Sequence, residues 1–326
     1  MPHQFDARSA GETTEMEAGR CAPVVDAAVI VNATAGNGCS DSWATDLVSQ
    51  FARDGIKVRL TLAHNGQEIH AAAQAAVEEG IAIVVAGGGD GTVNAVASHL
   101  AGTDIAFGVL PLGTLNHFAK DAHIPLELDA AVRTIATGQP VLMDVAEVNG
   151  RLFINNSSIG LYPHIVRHRE QQQRLGRSKW NAFFWATLSA FRRLHFYQIT
   201  VQIDGKKTHR RTPFVFIGNN RYTMEGFHIG ERVALNTGLL SFYSAHSTGR
   251  FGLIKLAGRA LLGRLRQARD VEAIQTTEIQ IETRRRSLRV STDGEVNVLE
   301  APLHYRIRPG ALRVIVAPAT DGKAVD

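Results

Sequence analysis

The 326-residue chain is poor in cysteine and in uninterrupted apolar sequence. Its two cysteines, Cys21 and Cys39, cannot build a disulfide framework, and no Cys/His spacing of metal-binding type occurs. No apolar run reaches the ~20 residues that cross a bilayer. The opening residues lack the apolar core of a signal peptide, which predicts a cytosolic protein. Two phosphate-binding patterns are also missing. No G-x-x-x-x-G-K-[ST] occurs, and the spacing after Gly89 fails G-x-G-x-x-G. No internal repeat or low-complexity segment appears.

What is present is ordinary in amount but uneven in distribution. Apolar content of 44% with 20% charged residues suits one or two domains with a sizeable core. The formal charge is +4 and the pI about 9.2. Asp6, Glu12, Glu15 and Glu17 lie at the start, whereas residues 165–290 are heavy in arginine. A basic second half calls for an anionic partner such as a phospholipid surface. No nucleic-acid module accompanies the arginines, so nucleic acid is not expected as a partner.

One stretch organises the rest. Ile81-Ala82-Ile83-Val84-Val85-Ala86 reads as a buried strand of a parallel sheet. It breaks into Gly87-Gly88-Gly89-Asp90-Gly91, and a helix follows from Thr92. Glycines there let backbone N–H groups approach an anion, and the helix start adds orphan donors and the positive end of its dipole. Asp90 among those donors suits a metal–phosphate complex. A tight strand-to-helix turn is the plainer alternative.

Around this stretch strands and helices alternate. Residues 1–22 read as a disordered extension. Val24–Val31 is a strand ending in the small-residue loop Asn32–Gly38; Asp41–Ala52 is a helix, Ile56–Leu62 a strand, and Gln67–Glu79 a helix closed by Gly80. Ile105–Leu110 is the next strand, leading into Pro111–Lys120, and Leu128–Thr137 is a helix. The order predicts a parallel sheet with right-handed crossovers over residues 23–139. From Gln139-Pro140 the character changes to short strands: Val141–Val148, a turn at Asn149-Gly150, Leu152–Asn156, Val201–Ile203, Pro213–Ile217, Leu239–Tyr243, Ile279–Ile281 and Leu288–Val290. They predict a mainly antiparallel, β-rich second domain over 140–317, whose end can pack back on the first, with a tail over 318–326. Trp180–Phe191, flanked by Arg167, Arg169, Arg174 and Arg177, suits either a membrane-touching helix or a helix packed on the second domain. Gly249–Arg269 reads as a basic amphipathic helix.

Gly-Gly-Asp-Gly-Thr followed by Val-Asn resembles the nucleotide-binding signature of the diacylglycerol kinase catalytic domain, whose superfamily includes bacterial lipid kinases, sphingosine kinases and, more distantly, NAD kinases. Pro111-Leu112-Gly113-Thr114-Leu115-Asn116-His117-Phe118-Ala119, Asp293-Gly294-Glu295 and the closing Arg308–Val316 continue the likeness over about 24–317. The resemblance implies an ATP-dependent lipid kinase that moves the γ-phosphoryl group to a lipid hydroxyl, diacylglycerol or a related lipid, in the interdomain cleft. ATP would lie against Asn32, Thr61, Gly88, Gly89, Asp90, Gly91, Thr92, Asn94 and Thr114. Glu295 would accept the hydroxyl proton, with Asp144 as the second catalytic carboxylate and Asp90 helping to neutralise charge. Mg²⁺ would come with ATP.

The chain also departs from the pattern, at Ala33, Ala95, Leu115 and His117. Thr237 and Ser241 replace the two acids of a loop that holds a structural Mg²⁺ in the family, so no protein-held metal is expected. An NAD kinase-like enzyme and a catalytically silent nucleotide- or lipid-binding regulator are the alternatives. A cytoplasmic protein touching the anionic inner membrane face is expected, with self-association left open.

Overall fold

The computed structural model describes residues 26–36, 38–160, 196–225, 228–245 and 271–318. The extension, the arginine-flanked Trp180–Phe191 stretch, the helix expected over Gly249–Arg269 and all but the first residue of the tail lie outside the described residues.

The first half alternates as its periodicity requires. In chain order come β1 (Ala27–Asn32), α1 (Asp41–Arg53), β2 (Val58–Ala63), α2 (Gly66–Glu78), β3 (Ile83–Gly88), α3 (Asp90–Leu100), β4 (Ala106–Pro111), α4 (His117–Asp121) and α5 (Leu128–Thr137). β1 and β3 pair in parallel, β2 flanks β1 and β4 flanks β3. Successive residues of β1 serve opposite layers. Ala28 and Ile30 pack with Ile69, Ala73 and Val96 of α2 and α3, while Val29 and Val31 pack with Leu47 and Phe51 of α1 and Ile135 of α5. A strand covered on both faces must be apolar throughout, which is why the run reads without alternation. Local caps set the helix starts. Ser40 Oγ accepts from Trp43 N, and Asn65 Oδ1 accepts from Glu68 N, whose carboxylate in turn accepts from His64 N and Asn65 Nδ2.

The second half is antiparallel: β5 (Gln139–Val148), β6 (Arg151–Phe153), β7 (Asn156–Gly160), β8 (Tyr197–Ile203), β9 (Lys206–Thr212), β10 (Phe214–Asn219), β11 (Tyr222–Glu225), β12 (His228–Arg232), β13 (Leu240–Ala245), β14 (Val271–Thr276), β15 (Glu278–Thr283), β16 (Ser287–Thr292), β17 (Glu295–Glu300) and β18 (Leu303–Val316). A six-stranded sheet, β14-β13-β10-β7-β16-β17, faces β5, β18, β15 and β8 across a core that includes Ile159, Ile217, Phe242, Val290, Ile281 and Tyr305. An α/β domain with a mostly parallel sheet is thus followed by an antiparallel β-rich domain. β18 joins them, running parallel to β4 at Arg313 and Val314 and antiparallel to β5 and β15. Among the described residues, no helix is long and apolar enough to cross a membrane.

The structure breaks the strand expected over Leu152–Asn156. β6 stops at Phe153 because the amides of Ile154, Asn155 and Asn156 turn away to the Asp293 carboxylate, at 2.8, 2.8 and 2.9 Å. Arg232 grips the same turn from the other side. Its guanidinium donates to Ile154 O at 2.6 Å and to Asn155 Oδ1 at 2.9 Å, and pairs with Asp121 of α4 at 2.7 Å. The rings of Phe118 and Tyr222 lie beside it. The Arg232 and Asp121 side chains are 1% and 9% exposed, so removing one leaves a desolvated charge on the other. Asp121→Ala is expected to cost about 3–5 kcal/mol in equilibrium denaturation. A loss below about 1 kcal/mol, the scale of an exposed pair, would refute this role for the pair.

Candidate active site

The strand order β2-β1-β3-β4 reverses between β1 and β3. The chain leaves β1 for one side, then crosses back to the other, so the loops at the carboxyl ends of these two strands splay apart. That crevice is where open α/β sheets take ligands. Asn32 ends β1 and Gly88 ends β3, one and two residues beyond the strand ends read from the sequence. Asn32 Nδ2 donates to Thr92 Oγ1 at 3.4 Å, tying the two loops, while its Oδ1 accepts from Thr34. Thr61 is half-buried on edge strand β2, opposite Ile30. Asn94 is buried one turn into α3, and its Oδ1 has no hydrogen-bond partner.

The glycines divide by role. A Cβ on Gly87 would meet Val31 at 2.7 Å, and one on Gly88 would meet Thr92 at 2.5 Å. A Cβ on Gly113 would lie 2.4 Å from Gly89 Cα. Packing by itself therefore demands Gly87, Gly88 and Gly113. Gly91 alone in the cluster is exposed, and a Cβ there would face Glu295 Oε1 at 3.9 Å. The helix behind it starts at Gly89 with no side-chain cap, so its first amides lack a side-chain acceptor.

Asp90 caps a different helix. Its carboxylate accepts from His117 N and Phe118 N at 3.2 and 3.1 Å, the first amides of α4. Asn116, with φ of 50°, accepts from Gly113 N and donates to the carbonyls of Pro111 and Gly113, shaping the loop that carries exposed Thr114. Asp144 is buried, and its carboxylate accepts from Gly310 N and Gly238 N at 2.9 and 2.6 Å. It clamps the irregularity in β18 to the loop before β13. Its hydrogen bonds do not join it to Glu295.

Glu295 begins β17, one turn beyond Asp293, and its side chain is 57% exposed. Arg151 Nη2 donates to its Oε2 at 2.9 Å, and Arg151 Nε donates to Thr292 Oγ1 at 3.2 Å. With its amide turned oxygen-inward, Asn297 accepts from the same guanidinium at 3.2 Å. Sequence reasoning missed Arg151 and Asp293. The signal for Asp293 was its place in Asp-Gly-Glu, where a left-handed φ of 48° lets the side chain fold back on the chain. Burial raises its carboxyl from 3.8 to about 6, against the pull of the Ile154, Asn156 and Asn155 amides and the Arg232 charge.

At the 235–241 loop, side chains take the ties. Asn220 Oδ1 accepts from both Thr237 N and Thr237 Oγ1, at 2.9 and 2.6 Å. Among the described residues, no three His, Cys, Asp or Glu cluster as a metal site.

Comparison with known proteins agrees with this architecture. The family described as diacylglycerol kinase catalytic domain matches residues 26–148, and the YegS C-terminal NAD kinase beta sandwich-like domain matches residues 160–316. A Pseudomonas aeruginosa protein named probable lipid kinase YegS-like is 31% identical over 253 residues, 73% of this chain and 78% of that protein. One of the same name from Citrobacter koseri is 33% identical over 136 residues. That match spans 40% of this chain and only 46% of the relative, less than half its length. A crystal structure of a diacylglycerol kinase from Bacillus anthracis aligns with a TM-score of 0.66 at 21% identity, covering 90% of this chain and 97% of that one. The likeness at that identity is one of fold.

Two outcomes follow from the ties just described. Because folding raises the Asp293 carboxyl from 3.8 to about 6, its contribution to stability is complete below about pH 3.8 and fades as the pH rises through 6. The side-chain carboxyl carbon of Asp293, followed by NMR, should titrate near 6; a midpoint below 4 would mean the three amides outweigh burial. The 235–241 loop, tied by Asn220 and Asp144, should leave the melting temperature without nucleotide indifferent to millimolar Mg²⁺ or chelator. A Mg²⁺-dependent rise that disappears on changing Thr237 would overturn this.

Proposed function

The chain belongs to the diacylglycerol kinase catalytic-domain family, in its YegS-like lipid kinase group, and from that premise we propose an ATP-dependent lipid kinase. Its acceptor is a lipid hydroxyl of the diacylglycerol class, met at the cytoplasmic face of an anionic membrane. The observation that carries the reading is the approach of Glu295 Oε1 to Gly91. An exposed carboxylate of the second domain stands against the nucleotide loop of the first, where donor and acceptor would meet.

ATP is read as lying along the crevice between Asn32, the Gly88–Thr92 turn and Thr114. The uncapped first amides of α3 would receive its phosphates without reorganisation. Glu295 takes the proton from the lipid hydroxyl as its oxygen bonds the γ-phosphorus and the bond to ADP breaks. Arg151 holds the Glu295 carboxylate toward Gly91 and is a positioning residue. Asp144 and Asp293 fix the second domain's loops, so they act on catalysis through geometry. Mg²⁺ entering with ATP would neutralise phosphate charge. It needs only one or two carboxylates besides the phosphates, which Asp90, with one amide on each oxygen, can supply.

Labelled ATP with a panel of lipids in mixed micelles, and NAD as control, tests the assignment. Glu295→Gln should lower turnover by ~10²–10⁴ with ATP binding nearly unchanged. Asp90→Asn should raise the KM for ATP as well, since it loosens the α4 loop. Arg151→Gln should lower kcat while leaving the KM for ATP unmoved, with partial recovery in Arg151→Lys. Turnover above about a tenth of wild type in Glu295→Gln would remove it as the base.

A further inference from the structure

Among the described residues, strand β17 is one of the two edges of the six-stranded sheet, β14 being the other. Among the described residues its Val296 and Val298 are the most exposed large apolar side chains, at 58% and 66%. They share one face with Arg289 and Ser287 of β16, since Val298 pairs with Arg289 and Val296 with Ser291. The same hairpin begins at the turn Arg284-Arg285-Arg286, all exposed. Arg285 lies over the Tyr197 ring, and Arg286 faces Glu300 at 3.8 Å with both side chains in water. Arg284 and Arg289 have no acidic partner among the described residues. One face thus sets two bare valines beside Arg289, with Arg284 exposed at the turn before β16.

We propose that this edge is the protein's docking surface for an anionic phospholipid bilayer. The chemistry of the strip matches both layers of such a surface. Valines enter the acyl boundary, and arginines meet phosphate oxygens with charge-assisted hydrogen bonds. A second copy of the chain would fit less well, because edge-to-edge pairing brings the same basic rows toward one another. The position also matters. Glu295 is the first residue of β17, and at about 3.4 Å per residue Val298 is only ~10 Å away along the strand. Side chains alternate along the strand, so Glu295 faces away from the valines, and a bilayer touching them brings lipid hydroxyls within about 10 Å of it around the sheet edge. Only this last point rests on the kinase reading.

Full-length protein is sedimented with phosphatidylcholine vesicles, with and without phosphatidylglycerol, and amide hydrogen exchange is followed in parallel. Binding should require phosphatidylglycerol and fall with salt. Replacing two basic residues, as Arg284→Gln with Arg289→Gln, should lower the partition coefficient about thirtyfold. Vesicles should protect the 295–300 amides and leave those of edge strand β2 unchanged. Val298→Asp should abolish binding; if it fails to fold, the arginine pair, wholly on the surface, carries the test. Equal binding to neutral vesicles, unchanged partition of the variants, or protection that grows with protein concentration without vesicles would each overturn the proposal, the last in favour of a second copy. Turnover of a short-chain, water-soluble acceptor separates the two readings. The variants should keep the wild-type rate on it, whereas a wild type inactive on every acceptor sinks the kinase and leaves the docking result to stand on its own.

Discussion

The turn Ile154–Asn156 holds the molecule together, and each of its backbone polar groups is used. Its three amides donate to Asp293, and Asn156 O accepts from Asp293 N. Ile154 O accepts from Arg232 and Asn219, and Asn155 O accepts from Tyr222 and from Asn219 N. A buried peptide group left unpaired costs roughly 1–3 kcal/mol, so no partner can leave without penalty. Through Asp121 the same knot reaches α4, and Asp90 caps α4 from the nucleotide loop. The two loops of the cleft are therefore parts of one hydrogen-bonded chain running from Asp90 to Asp293.

That chain changes how the acidic residues are to be understood. Asp90, Asp144 and Asp293 each spend both carboxylate oxygens on backbone amides. Glu295 is different: exposed, held by one arginine, with an oxygen turned toward Gly91. The turn Asp293-Gly294-Glu295 thus combines a structural carboxylate with a presented one two residues later. The glycine between them, at φ of 88°, makes that change of direction.

The sequence carried the first domain well, because strands covered on both faces are apolar throughout and their helices carry caps. It carried the second domain less well. β9, Lys206–Thr212, holds lysines, arginines and a histidine and is mostly exposed, so no alternation betrays it. β17 turns Val296 and Val298 outward and only Leu299 toward the core, opposite to the usual pattern. The break after Phe153 depends on a carboxylate about 140 residues away and leaves no local signal. The glycine cluster was legible as a turn at the right place, but the neighbours that demand Gly87 and Gly113 come from other strands and loops. Arg151 stood in plain view after a turn, and only the fold brings it to Glu295.

The last strand of the fold completes the first sheet. Val314 of β18 lies beside Phe107 of β4, about two hundred residues earlier in the chain. During synthesis β4 must therefore wait as an open edge while the whole second half is made. At ~5–20 residues per second the delay is roughly ten to forty seconds, long on the scale of strand pairing. An unpaired edge invites other strands, so the nascent first half needs cover over that interval, and truncation before β18 would strand both halves. The two family matches part at residues 148 and 160, yet β18 of the second pairs with β4 and β5 of the first, so that boundary in sequence is crossed by the sheet.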